Sequence, residues 1–156
     1  MRSSILVLAT ILAGALIAFM AGPQTAAEAG QAREVPSSTV QTRPLRFLMV
    51  GLGQDMSRLS DGLWHEDFQM IEAAARGIAE HPRITPPEVA AIKAALGGGF
   101  EQFVAIDGMV HDTATELAEA AVERNQGRVM ELQGKLMQAC VACHSGYRED
   151  VRQALY

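Results

Sequence analysis

The chain reads as an all-α protein, an antiparallel four-helix bundle with a short connector helix between the second and third helices. Three observations carry this expectation. Alanine, leucine, methionine, glutamate and glutamine are abundant while β-branched residues are sparse, and small or unbranched side chains lose the least rotamer freedom in a helix. Apolar residues recur at steps of three and four through four long stretches, which is the spacing of one helix face. Glycine, proline and asparagine punctuate the chain between those stretches. A length of 156 residues suits one domain after a leader, and a net charge of −5 with its 13 basic residues scattered leaves no basic face for nucleic acid.

The amino terminus stands apart. Arg2 is followed by the apolar run Ile5 to Ala21 and then by Ala27-Glu28-Ala29, small residues at the alternate positions that signal peptidase accepts. Residues 1–29 are therefore expected to be a secretory signal or, uncleaved, an amino-terminal membrane anchor. Both place the remainder of the chain outside the cytoplasm, in the periplasm. Residues 30–42 are polar, contain proline and lack a hydrophobic period, so they read as a flexible leader to a domain spanning residues 43–156.

Within that domain, Leu45, Met49, Leu52, Met56, Leu59 and Leu63 form one apolar stripe, with Pro44 suited to the first turn and Asp61-Gly62 marking the end. Phe68, Ile71, Ala75, Ile78 and Ala79 form the stripe of a second helix that Pro82 stops. Thr85-Pro86-Pro87-Glu88 has the residues of a capping box and opens a connector helix that ends near Leu96, before Gly97-Gly98-Gly99. A third long helix is expected over residues 100–124 on Phe103, Val110, Ala114, Leu117 and Ala121, with Asn125-Gln126-Gly127 as the turn after it. Val129, Leu132, Leu136, Cys140, Tyr147 and Val151 mark the fourth.

The fourth helix carries the chemistry. Its Cys140-Val141-Ala142-Cys143-His144 uses both cysteines of the chain. A disulfide between residues three apart closes too small a loop to restrain the unfolded chain, a zinc site lacks a second close ligand pair, and a thioredoxin-like pair lacks its βαβ setting. Cys-x-x-Cys-His is the attachment signature of c-type haem, in which two thiols add to the vinyl groups and the adjoining imidazole reaches the iron. On one helix Cys140, Cys143 and His144 share a face, so all three can converge on one porphyrin. The expected cofactor is one covalent haem c.

With this motif on the last of four helices and followed by Tyr147 and Arg148, the domain resembles the cytochrome c′ family. The likeness covers most of residues 43–156 in helix order and is specific at the haem motif and the first helix. In that family the first helix supplies the residue over the open haem face, seven before a core residue that is often methionine and with glycine four after it. The resemblance thus implies that Met49, with Gly53 and Met56 at those offsets, is the distal iron ligand and His144 the proximal one. Members with a non-ligand there leave the iron open to small gases. The alternative reading of Met49 itself is a core methionine on the stripe with Leu52 and Met56.

Charge near the haem is expected from Arg148, one turn after His144, and from Arg43 or Arg46, which precede Met49 and could pair with a propionate. His65 and His81 fall at helix ends, while Asp107 and His111 stand one helical turn apart and could pair between helices. The chain departs from the family in its middle, where the connector and the triple glycine replace a longer loop. The implied function is that of a monohaem electron carrier, not an enzyme, serving redox partner proteins and able to form a homodimer. A nitric oxide- or carbon monoxide-binding protein with a displaceable Met49 is the alternative.

Overall fold

The computed structural model describes residues 41–156, so the expected signal or anchor and nearly all of the leader lie outside the described residues. The described chain is all-α apart from one small pairing. In order it comprises β1 (Thr42–Arg43), α1 (Leu45–Trp64), α2 (Phe68–Ala79), β2 (Arg83–Ile84), α3 (Pro86–Leu96), a single 3₁₀ turn (Gly97–Gly99), α4 (Phe100–Val122) and α5 (Gln126–Leu155). α2 packs on both α1 and α4, α4 packs on α5, and the connector α3 also lies against α5.

The parallel pairing of β1 with β2, Thr42 opposite Arg83 and Arg43 opposite Ile84, corrects two expectations. Thr42 belongs to the folded domain and not to the leader. Pro82, read only as a helix stop, also leads into a short extended segment, as the conformational limits of proline favour.

The helix ends show which local signals act. Asp67 accepts from the backbone N–H groups of Gln69 and Met70 and so caps α2. Asn125, expected in a turn, instead caps α5 by accepting from the N–H of Arg128. The capping box at Thr85 does not form. The Thr85 hydroxyl donates to the Glu88 carboxylate at 2.8 Å, and the same carboxylate accepts from the N–H of Leu45 at 3.1 Å. Glu88 therefore serves the first turn of α1, forty-three residues away, where a negative charge meets the positive end of the helix dipole.

α1 also runs past Asp61-Gly62 to Trp64. Gly62 is buried there because α2 crosses it closely: a Cβ would come within 2.7 Å of Ile71 Cγ1 and 3.2 Å of the Asp67 carbonyl oxygen. The glycine is a contact point between helices, not a helix stop. After α3, Gly97 takes the left-handed φ of +52° that glycine tolerates, and the chain passes through the 3₁₀ turn into α4.

The core is a cluster built from Leu59, Ile71, Ala75, Ile78, Val110, Ala114, Leu117, Val129, Leu132 and Leu136, with further alanines of α2, α4 and α5. The predicted stripes of the last three long helices thus point inward. In α1 Leu52, Met56, Leu59 and Leu63 of the stripe also face the core, whereas near its start Leu48 is buried and Met49 is 41% exposed. Met49 is not a core methionine.

Candidate functional site

A cavity of about 300 Å³ opens beside the core. From α1 it is lined by Leu45, Leu48 and Met49, whose spacing of three and four places them on one face. From α5 come Cys143, His144, Tyr147, Arg148, Val151 and Arg152, successive turns of one helix side. Phe103 and Asp107 of α4 and His81 and Ile84 of the preceding segment complete most of the wall. Tyr147 is set edge-on against Phe103, with ring centroids 5.7 Å apart.

Of the residues expected at a haem site, Met49, Cys143, His144 and Arg148 are brought to this cavity from opposite ends of the chain. Cys140 lies one turn earlier on α5, half-buried, and is not part of the lining. Both thiols are free, without a disulfide. Burial pushes both above the ordinary thiol range, and the negative charge of Asp107 adds to the effect at Cys143, so both are neutral thiols at neutral pH. Arg148 makes no ion pair with another described residue, whereas Arg152, which the sequence did not single out, pairs with Glu149 at 2.8 Å. Arg43 lies in β1 and Arg46 sets its guanidinium 4.5 Å from the centre of the Phe47 ring; neither lines the cavity.

The donor set fits a haem of the c type. A thioether and an imidazole, the two side chains that ligate iron in electron-carrying cytochromes, reach one largely apolar cavity, and a thiol adjoins the imidazole on the same helix. One turn beyond Met49, a Cβ on Gly53 would meet nothing within 4 Å, so that flank of α1 is open. Met56, the third residue of the offset, packs against the core.

The histidines divide. His65 is exposed and donates through Nδ1 to the Asp61 carbonyl, a helix-end role of the kind expected. His81, expected in a similar role, instead lines the cavity and lies against His111, their ring centroids 4.6 Å apart. No spacing in the sequence signals this, because the two residues stand thirty apart on different elements.

No protein-family model, no curated protein and no solved structure matches this chain.

Proposed function

We propose that this chain is a monohaem c-type cytochrome that carries electrons, with Cys140 and Cys143 as the thioether anchors, His144 as proximal ligand and Met49 as distal ligand. The observation that carries the reading is the meeting of Met49, Cys143 and His144 at one cavity, with Met49 outside the core that a merely structural methionine would join. In this reading α1, α2, α4 and α5 form the antiparallel four-helix bundle of the cytochrome c′ type and α3 is its connector.

Bound there, haem supplies a single iron that gains and loses one electron. The protein's own residues prepare its surroundings. Leu45, Leu48, Phe103, Tyr147 and Val151 exclude water and lower the local dielectric, which favours the less charged state of an iron centre. Sulfur and imidazole ligation raises the reduction potential relative to harder ligands. Arg148 offers a cation at the rim for a carboxylate or for the electrostatics of the His144 imidazole. With both arginines outside the cavity lining, a propionate role for Arg43 or Arg46 rests only on their position before Met49 in the sequence.

The gas-binding alternative has one observation in its favour. Met49 is 41% exposed and Gly53 beside it is unobstructed, an arrangement that leaves a thioether room to swing aside. The proposed setting is the periplasm, free or tethered by the amino-terminal segment, with redox proteins as partners and a homodimer as the proposed assembly. A denaturing gel of the chain matured in a host that attaches haem tests the cofactor. Haem-linked peroxidase stain should stay with the band and vanish in the Cys140→Ser/Cys143→Ser variant; an unstained wild-type band refutes covalent haem.

A further inference from the structure

His81, Asp107 and His111 form a second constellation beside the cavity. Asp107 and His111 are one turn apart on α4, with His111 Nε2 3.7 Å from Asp107 Oδ2, and His81 comes from the segment after α2. One donor atom from each of the three residues lies within 4.8 Å of the other two.

The hydrogen bonds of the imidazoles fix what they offer. A carbonyl oxygen only accepts, so the nitrogen facing it must carry the proton. His111 Nδ1 donates to the Ala79 carbonyl at 2.6 Å and His81 Nδ1 donates to the Pro82 carbonyl at 2.7 Å. In the neutral rings both Nε2 atoms are therefore left as lone pairs. At His111 that lone pair faces a carboxylate oxygen, two acceptors with nothing between them to share. A metal cation held between the two groups would be shared by both.

Several features favour a metal. Two histidines have their outer nitrogens anchored on backbone carbonyls, the arrangement that orients metal-bound imidazoles and sets their tautomer. Two imidazoles and one carboxylate are a donor set suited to zinc and its neighbours among the divalent first-row cations. The tilt of 35° between the rings keeps them out of parallel stacking, which would itself explain their closeness. Tetrahedral zinc holds nitrogen and oxygen donors about 3.3–3.5 Å apart. The Asp107–His111 pair is nearly there, and the half-exposed Asp107 side chain has freedom to close the rest.

We infer that His81, Asp107 and His111 form a site for a zinc-type divalent cation at the cavity wall, which fastens the segment after α2 to α4. The inference does not rest on the haem reading, because none of its three ligands is a residue proposed to anchor or ligate haem, although His81 and Asp107 line the same cavity. Zinc titrated calorimetrically into the full chain, after chelator treatment and with any free thiols alkylated by iodoacetamide, tests it. One saturable site per chain is expected, weakened about tenfold or more in His81→Gln, His111→Gln and Asp107→Asn and unchanged in His65→Gln. His111→Gln can fail to fold because it loses the bond to Ala79; His81→Gln and Asp107→Asn then carry the test. No saturable binding means that the cluster holds no zinc, and unchanged affinity in both His81→Gln and Asp107→Asn places the zinc elsewhere; each result overturns the inference.

Discussion

Replacing Gly62 by alanine separates two accounts of this residue. If Gly62 merely weakens the end of α1, alanine should stabilise the helix by about 1 kcal/mol through its better propensity. The structure predicts the opposite. The new Cβ falls 2.7 Å from Ile71 Cγ1 and 3.2 Å from both the Asp67 carbonyl oxygen and the Ile71 nitrogen. Two of those three atoms are backbone, so relief requires α2 to move away together with its Asp67 cap. With two backbone atoms in the way, the overpacking cost falls in the upper part of its usual range, about 2–3 kcal/mol, and the propensity gain of about 1 kcal/mol leaves a net loss of about 1–2 kcal/mol. For a domain of this size that lowers Tm by roughly 4–8 °C. Thermal unfolding followed by helical circular dichroism measures it. Gly134→Ala, at a helical position where a Cβ meets nothing, is the control and should raise Tm slightly. A Gly62→Ala protein as stable as the wild type or more so refutes the close approach of α1 and α2.

Other outcomes rest on the same packing. Leu117→Ala and Leu136→Ala empty fully buried positions in the core and should each cost about 2–5 kcal/mol in urea unfolding. Glu88→Ala removes the acceptor for both the Thr85 hydroxyl and the Leu45 N–H, and should cost about 0.5–2 kcal/mol, whereas an ordinary exposed glutamate should cost almost nothing. The Glu149 carboxylate, bonded by Arg152 and then by Gln153, has its pKa lowered from an ordinary 4.5 to about 2. Since the folded value is the lower one, its small stabilising effect is present above the unfolded value and is lost as pH falls from there toward about 2. Carbon NMR titration should show that low midpoint, and Arg152→Ala should raise it toward the ordinary range.

Much of the fold is legible in the residues because it rests on periodicity. Val110, Ala114, Leu117 and Ala121 repeat at helical spacing and are buried as a row, as are Val129, Leu132 and Leu136. The features that escape such a reading are those decided by a distant partner. Gly62 looks like a helix breaker until α2 is laid across it, and Glu88 looks like half of a local capping box until Leu45 arrives with an unsatisfied N–H. Thr42 joins β1 only because Arg83 presents an extended edge to it. Near the start of α1 the buried position is Leu48 and not Met49, since the periodicity of a short run tolerates neighbouring phases, while Leu52, Met56, Leu59 and Leu63 keep the expected phase.

The site divides in the same way. Cys140, Cys143 and His144 are recognisable from local spacing alone. Met49 could be singled out only by a resemblance, and its exposure beside the same cavity as His144 is a tertiary fact. His81 reaches that cavity without a sequence signal, because helix packing alone brings it there, whereas Arg152 stands one turn beyond Arg148 and could have been found from that spacing.

The central claim, that Met49 and His144 hold one iron between them, is tested most directly by the absorption spectrum of the purified, matured chain. A low-spin haem spectrum is predicted, with a methionine-to-iron charge-transfer band that disappears in Met49→Ala. A high-spin spectrum in the unaltered protein contradicts the claim.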